Sequence, residues 1–227
     1  YIDFHYILTL VPATTSDYIR NTFGVLFECQ QIALDSEFET GFNRHGYEHV
    51  SVVATNALRL LHEQRVVTEI ADVSIDNITI LGALFHDIGN VLSRKYHGFY
   101  GVYLASLIFM NFSTSDTHLE LFLDFLEIIL FHEVEYGSQL KPVNVLKPST
   151  LCVIIADKTD VSFKRVSSKS NVATAVDDAH VIVNLLVAES GLEWCNEHKC
   201  VLWNIAFRTK FGKADYDLFS SLLQSTG

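Results

Sequence analysis

The chain has 227 residues, of which 49% are hydrophobic and 19% are charged. This composition excludes a disordered or collagen-like chain and predicts a folded protein with one substantial core. The 16 basic and 27 acidic residues give a formal net charge of -11. Such a charge repels duplex nucleic acid and anionic membrane surfaces, and no apolar run is long enough to span a bilayer, so we expect neither partner.

The four cysteines stand at positions 29, 152, 195 and 200 and form no CxxC pair. Two of them lie in apolar stretches, which favour buried and reduced thiols. We therefore expect a cytoplasmic protein.

Hydrophobic periodicity predicts a mainly α-helical fold. Only 3 prolines and 11 glycines interrupt the chain, which favours long helices over short strands. Apolar residues recur at helical spacing in six segments, several of them preceded by N-capping residues. These predicted helices span residues 17–34, 47–62, 74–89, 97–110, 117–135 and 149–160. Small residues such as Gly98 and Gly101 in the fourth helix predict a close approach to its neighbours.

The sequence pattern changes after about residue 171. Runs rich in β-branched and aromatic residues at 180–188 and 199–207 predict a β-hairpin, and residues 214–224 predict a closing helix. We therefore divide the chain into an N-terminal extension (1–14), a helical domain (15–170) and a small α+β appendage (171–227). Val201, Trp203 and Ile205 alternate along the second strand. Their face either packs on the helical domain, which we favour, or forms an apolar edge for a homodimer.

The adjacent residues His86 and Asp87 lie at the C-terminal end of the third predicted helix. Neighbouring helical side chains project about 100° apart. Both therefore reach one point only near a helix end, and a shared metal ion gives them a reason to do so. Taken alone, the pair is explained more simply as a helix C-terminus at which the dipole favours histidine.

Three further residues change that interpretation. His45 and His49 are spaced i, i+4, which places both imidazoles on one face if the second predicted helix begins early enough. Asp157 follows the apolar run 151–156, and a carboxylate in that setting requires a partner such as a cation. Histidines and aspartates on separate helices form a mixed nitrogen and oxygen set, which suits Mn, Fe, Co, Zn or Mg rather than a thiolate site.

The order of His49, the pair His86-Asp87 and Asp157 resembles the signature of the HD superfamily of metal-dependent phosphohydrolases. The resemblance covers about residues 15–190. Within the superfamily, the sequence resembles one group of uncharacterised prokaryotic HD proteins. The stretches that carry it are Arg44-His45-Gly46-Tyr47-Glu48-His49, Leu84-Phe85-His86-Asp87-Ile88-Gly89-Asn90, Phe131-His132-Glu133 and Ile155-Ala156-Asp157-Lys158-Thr159-Asp160-Val161. The implied fold is an HD-domain helical bundle.

The resemblance implies a site for two divalent ions. The ligands of the first ion would be His49, His86, Asp87 and Asp157. His97 and His132 fall where HD proteins with two metals place the ligands of the second ion, and Asp87 would bridge the two ions.

Two departures from the family pattern accompany this resemblance. Tyr96 stands where the related proteins carry an acidic residue, which removes a carboxylate expected beside His97. The stretches Phe131-His132 and Gly137-Ser138-Gln139 lack the double histidine and the Gly-Tyr-Pro triplet of the cyclic-dinucleotide branch. We therefore argue against membership of that branch.

The remaining polar residues near the signature receive expected roles. The expected contacts to a substrate phosphate are Arg44, His45, Arg94 and Lys158. For His45, ligation of an additional ion and a purely flanking position are alternatives. Arg165 is a further candidate for a phosphate contact, although most of the charges in residues 158–169 are expected to be solvated. Beside Asp87, we assign Glu133 and Asp160 to catalysis, where they orient the water, protonate the leaving group or complete the outer shell of the metal site.

The implied activity is hydrolysis of a phosphoric ester, such as a phosphomonoester or a nucleotide, by a metal-activated water. Two divalent ions would also reconcile an anionic substrate with a charge of -11, because the local field decides binding. Two alternatives stay open, namely a di-iron oxygenase on the same scaffold and a regulatory or ligand-binding module that retains the metals.

Overall fold

The computed structural model describes residues 45–64, 73–109, 116–133, 146–166 and 179–210. Six helices, two short 3-10 helices and one two-stranded antiparallel sheet lie in these ranges. The helices are α1 (Tyr47–Gln64), α2 (Val73–Phe85), α3 (His97–Phe109), α4 (Asp116–Phe131), α5 (Pro148–Thr159) and α6 (Ala179–Leu186). The strands are β1 (Val187–Cys195) and β2 (Cys200–Phe207), and the 3-10 helices are Ile88–Val91 and Phe163–Arg165.

The predicted mainly helical fold with a C-terminal hairpin is confirmed. Five of the six helices predicted for the helical domain correspond to α1 to α5. The predicted helices at 17–34 and 214–224, and both predicted domain boundaries, lie outside the described residues. None of the described helices combines the length and the apolar character that a membrane-spanning helix requires.

Two element boundaries differ from the prediction. The helix expected over 74–89 ends at Phe85, so that His86 and Asp87 form a turn that leads into the 3-10 helix Ile88–Val91. The strand expected at 180–188 is helical as far as Leu186. Helix α6 buries Asn184, whose side-chain oxygen accepts a hydrogen bond of 2.8 Å from the backbone N–H of Ser162. Strand preference depends strongly on packing, and here the helix buries Leu185 together with Asn184.

The helices enclose two adjoining clusters of buried apolar side chains. The α2–α4 core is built mainly from α2, α3, α4 and the first 3-10 helix, and the rings of Phe85 and Phe125 meet edge to face at its centre, 5.6 Å apart. The α1–α5 core contains the periodic apolar face of α1, including Val53 and Ala57, together with Val153 of α5. Helix α2 contacts α1, α4 and α5, so it joins the two cores.

Helix α3 approaches its neighbours closely at glycine positions, as predicted. A methyl group at position 89 would overlap the backbone carbonyl of His97 and lie 2.5 Å from the backbone nitrogen of Gly101. A methyl group at Gly101 would lie 2.7 Å from Cγ2 of Ile129 on α4. The backbone of the 3-10 helix therefore contacts the backbone of α3, and the backbone of α3 contacts a side chain of α4. This close contact sets the distance between the turn after α2, the start of α3 and the end of α4.

The hairpin attaches to the bundle through β1. Leu192 is 6% exposed and belongs to the α1–α5 core, and Val201 packs partly against the same core. Trp203 and Ile205 stay 45% and 37% exposed. From the sequence, we expect the face with Val201, Trp203 and Ile205 to pack on the helical domain. This prediction is right for Val201 and wrong for Trp203 and Ile205. The physical reason is that β1 contacts α1 and α5, whereas β2 lies on the far side of β1.

Replacing Gly89 by alanine is expected to destabilise the fold, because the added methyl group displaces backbone rather than a flexible side chain. We expect a loss of about 1–3 kcal/mol in the free energy of unfolding, measured by chemical denaturation. Gly191→Ala is the matched control, since a methyl group there meets nothing within 4 Å. Equal stability of the two variants would contradict the close approach of α3 to the 3-10 helix.

Candidate metal centre

Histidines and aspartates from five places in the chain meet at one end of the bundle. Each of them stands at or next to the end of a helix, where a side chain can reach beyond the helix axis. The positions are His45 and His49 at the start of α1, His86 and Asp87 after α2, His97 at the start of α3, His132 after α4, and Asp157 in the last turn of α5. All except His45 and His97 are less than 9% exposed.

The carboxylate of Asp87 lies at the centre of this group. Its Oδ2 is 2.8 Å from Nδ1 of His45, 3.1 Å from Nε2 of His86 and 3.8 Å from Nε2 of His49. Its Oδ1 is 3.1 Å from Nε2 of His97 and 3.6 Å from Nε2 of His132. The two oxygens of one carboxylate therefore face two different sets of imidazoles.

The second buried carboxylate, Asp157, joins one of these sets. Its Oδ1 is 3.2 Å from Nε2 of His49 and 3.7 Å from Nε2 of His86. The ligand atoms fall into three overlapping groups, within each of which all atoms lie within 4.8 Å of one another. These groups are His45, His49 and Asp87; His49, His86 and Asp157; and Asp87, His97 and His132. The predicted ligands of both ions are thus brought together.

In four imidazoles, Nδ1 forms a hydrogen bond on the side of the ring that faces away from the cluster. Because the partners are carbonyl or carboxylate oxygens, each Nδ1 carries a proton and donates it, which directs the opposite nitrogen, Nε2, into the cluster. The bonds are His49 to Asp160 Oδ2 (2.7 Å), His86 to the Ala83 carbonyl (2.6 Å), His97 to the Arg94 carbonyl (2.8 Å) and His132 to the Ile129 carbonyl (2.7 Å). This arrangement is typical of histidines that ligate metal ions.

The buried Nε2 atoms of His49 and His86 have no hydrogen-bond partner. Both face the oxygens of Asp87 and Asp157, and a lone pair directed at an anionic oxygen is repelled unless a positive charge lies between them. A metal ion removes the repulsion and satisfies both nitrogen atoms. The cluster therefore has the donor atoms, the burial and the geometry to hold a metal ion.

The protonation equilibria show that the two aspartates favour positive charge on or near the imidazoles beside them. Burial lowers the pKa of His86, but Asp87 and Asp157 outweigh burial and raise that pKa to about 10. Burial likewise opposes ionisation of the two aspartates, yet the charges and hydrogen bonds around them hold both pKa values well below the usual range. For His132, burial dominates and lowers the pKa to about 4. The aspartates thus stay anionic, and either a proton on His86 or a bound metal ion supplies the compensating positive charge.

Glu133 and Asp160 lie behind ligand imidazoles. Asp160 accepts the hydrogen bond from His49, and Glu133 lies 3.0 Å from Nδ1 of His97 while it accepts a bond of 3.1 Å from the backbone N–H of Gly98. These positions match the predicted outer-shell alternative for both residues. Their assignment to water activation or leaving-group protonation stays a prediction.

Glu133 places a carboxylate beside His97, where the sequence leads us to expect none. Tyr96 replaces the expected acidic residue and adopts a positive φ of 63°. Glu133 approaches Nδ1 of the same imidazole from the end of α4. A carboxylate therefore lies beside His97 although position 96 does not provide one.

Asn90 is a site residue to which the sequence analysis assigns no role. It is buried, and its side-chain amide donates a hydrogen bond of 3.1 Å to Oδ1 of Asp87. The signal that identifies it is its position three residues after Asp87, on the same side of the 3-10 helix. Asn90 fixes the orientation of the central carboxylate.

Basic side chains surround His45 at the edge of the cluster. Arg94 approaches Nε2 of His45 at 3.4 Å, and Arg165 lies 3.4 Å from its Nδ1. Burial lowers the pKa of His45 to about 3, so the imidazole is neutral and brings no charge to a phosphate. Lys158, by contrast, donates to Oδ2 of Asp157 at 2.8 Å. Of the four predicted phosphate contacts, Arg44 alone lies outside the described residues.

Arg165, for which the sequence leaves open a phosphate contact or a solvated position, lies largely buried beside the cluster. Its side chain is 11% exposed and donates a hydrogen bond of 2.8 Å to the backbone carbonyl of Asp160. A basic residue in a charged stretch is expected to be exposed to solvent. The 3-10 helix Phe163–Arg165 instead turns the Arg165 side chain toward the cluster.

Comparisons with known proteins identify one similar protein. The chain is 38% identical over 80 residues to an uncharacterized protein of Methanocaldococcus jannaschii, and the match covers 31% of this chain and 31% of that protein. The chain thus matches about a third of the relative's length. No family model and no solved structure matches.

Removing the charge of Asp160 is expected to weaken metal binding, because the carboxylate orients His49 and increases its basicity. We expect Asp160→Asn to lower the affinity for Mn²⁺ by about 10–100-fold in calorimetric titrations. Asp76→Asn is the matched control, because Asp76 pairs with the exposed His62 at the same 2.7 Å. Equal affinities of the two variants would show that the contact with Asp160 does not support a ligand.

Proposed function

We propose that this chain is a metal-dependent phosphohydrolase of the HD superfamily that cleaves a phosphoric ester of a small molecule, such as a phosphomonoester or a nucleotide. The observation that carries the proposal is the pair of buried, unpartnered Nε2 atoms of His49 and His86 facing Asp87 and Asp157. The same residues carry the resemblance to the HD signature. We place the protein in the cytoplasm.

Two divalent ions fit the two sides of Asp87. One would be held by His49, His86, Asp87 Oδ2 and Asp157, and the other by Asp87 Oδ1, His97 and His132. Manganese, iron, cobalt, zinc or magnesium in these positions would supply Lewis acidity toward phosphoryl oxygens and a bound water of lowered pKa.

The protein's own residues hold these positions before substrate arrives. The Nδ1 bonds of the four ligand histidines fix the direction of each Nε2 lone pair. Asn90 holds the carboxylate of Asp87. Asp160 and Glu133 keep the protons of His49 and His97 on the outer nitrogens. Little reorganisation is then needed at the moment of reaction.

Three cations form the side from which a phosphate would approach. Arg94 and Arg165 flank His45, and Lys158 reaches Asp157 from a side chain that is 51% exposed. Guanidinium groups present paired donors that match phosphate oxygens. Together with divalent ions, which would offset the neighbouring carboxylates, these cations would let a protein of net charge -11 bind an anionic substrate.

A di-iron oxygenase would use the same donor set, so the test of function must separate hydrolysis from oxygen activation. Protein purified without chelator is analysed for metal content, then assayed for phosphate release from nucleotides and generic phosphomonoesters with each metal, and for oxygen consumption with iron. The proposal predicts metal-dependent phosphate release that Asp87→Ala abolishes together with metal binding. Oxygen consumption without phosphate release would favour the oxygenase, and metal binding without either activity would favour a regulatory module.

Removing His132 is expected to leave one ion site, because His132 and His97 face only Oδ1 of Asp87. Calorimetric titration should give two ions per chain in the parent protein and one in His132→Ala. His62→Ala is the control and should keep two, because His62 pairs with Asp76 at an exposed site. Identical stoichiometry in the parent and in His132→Ala would refute the dinuclear site.

A further inference from the structure

Two cysteines face each other at the tip of the hairpin. Cys195 ends β1, Cys200 begins β2, and the two are direct partners in the antiparallel register. Opposed residues in such a ladder have Cα atoms about 4.5–5.5 Å apart and side chains on the same face. That separation falls within the range of about 4.4–6.8 Å found for disulfide-bonded cysteines. No large backbone movement is required to join the two sulfur atoms.

The pair lies on the face of the hairpin that points away from the helices. Side chains alternate along a strand, so Cys195 and Cys200 lie opposite to the face on which Leu192 enters the α1–α5 core. Cys200 and the four residues of the turn are exposed, and Cys195 is half-buried. Cys152, by contrast, is 0% exposed within the core. A small solute therefore reaches the hairpin thiols without opening the fold.

We propose that Cys195 and Cys200, which are free thiols in the structure, form a reversible cross-strand disulfide by exchange with a low-molecular-weight disulfide of the glutathione type. The thiolate of Cys200, the more exposed cysteine, attacks one sulfur of that disulfide, forms a mixed disulfide and releases one thiolate. The thiolate of Cys195 then attacks the sulfur of Cys200 and releases the second thiolate. The two cysteines together lose two protons and two electrons, and the small disulfide is reduced to two thiols.

The new bond would fasten the outer strand to the strand that is attached to the bundle. Strand β1 is held by Leu192 and by Ser190, whose hydroxyl donates to the backbone carbonyl of Thr159 at the end of α5. Strand β2 pairs with β1 and leaves Leu202, Trp203, Ile205 and Phe207 more than a third exposed. Joining the strands at the tip restrains β2 against separation and resists opening of the hairpin.

The test uses the full chain, fully reduced and then incubated with oxidised glutathione. Intact mass under non-reducing conditions should fall by two hydrogen atoms, and peptide mapping should link Cys195 to Cys200. Cys195→Ser and Cys200→Ser should instead stop at the mixed disulfide with glutathione, because the second thiol is absent. Mixed disulfides on the parent chain, links to Cys29 or Cys152, or links between chains would overturn the proposal.

Amide hydrogen exchange tests the effect of the bond on the hairpin. Oxidation of the parent should slow exchange of the β1 and β2 amides by about tenfold, and reduction should reverse the effect. Neither serine variant should show this change. Unchanged exchange in a parent that carries the mapped bond would overturn the claim that the bond fastens β2 to β1.

Discussion

The buried carboxylate of Asp87 is the constraint on which the rest of the site depends. A carboxylate removed from water is stabilised only by cations and hydrogen-bond donors around it. Here the amide of Asn90 and Nδ1 of His45 lie within hydrogen-bond distance of its oxygens. The Nε2 atoms of four further histidines face it, where a proton or a metal ion would supply the positive charge. Bringing them together fixes the relative positions of α1, α2, α3 and α4. The close backbone approach at Gly89 serves the same purpose, because it brings the start of α3 against the turn that carries Asp87.

The way in which the histidines are oriented follows from where helices end. The last carbonyl groups of an α-helix have no partner within the helix. His86 and His132 each follow a helix and donate Nδ1–H to the carbonyl three residues earlier, at Ala83 and Ile129. One bond thus caps a helix and selects the imidazole tautomer that a metal requires. A histidine directly after a buried helix is well suited to this double role.

The sequence predicts the parts of the structure that depend on local pattern. The periodicity of α1 is strong, and the residue types of His49, His86, Asp87 and Asp157 identify the kind of site. The sequence pattern does not reveal contacts between segments that are distant along the chain. The bond between His49 and Asp160 spans 111 residues, and Glu133, which follows α4, approaches His97 at the start of α3. Helix α6 places Asn184 where it accepts a hydrogen bond from the backbone of Ser162, 22 residues away. Tertiary packing determines these contacts, and the local sequence pattern does not predict them.

The position of the tryptophans gives the hairpin its own optical signal. The chain has 2 tryptophans, Trp194 and Trp203, and both lie in the sheet, where the indole of Trp203 donates to Ser190 Oγ at 2.8 Å. The helical bundle contains none. Intrinsic fluorescence therefore reports the attachment of the hairpin, whereas far-ultraviolet circular dichroism reports mainly the helices. Separate transitions in the two signals would identify the hairpin as a unit that detaches before the bundle unfolds, and coincident transitions would identify a single cooperative unit.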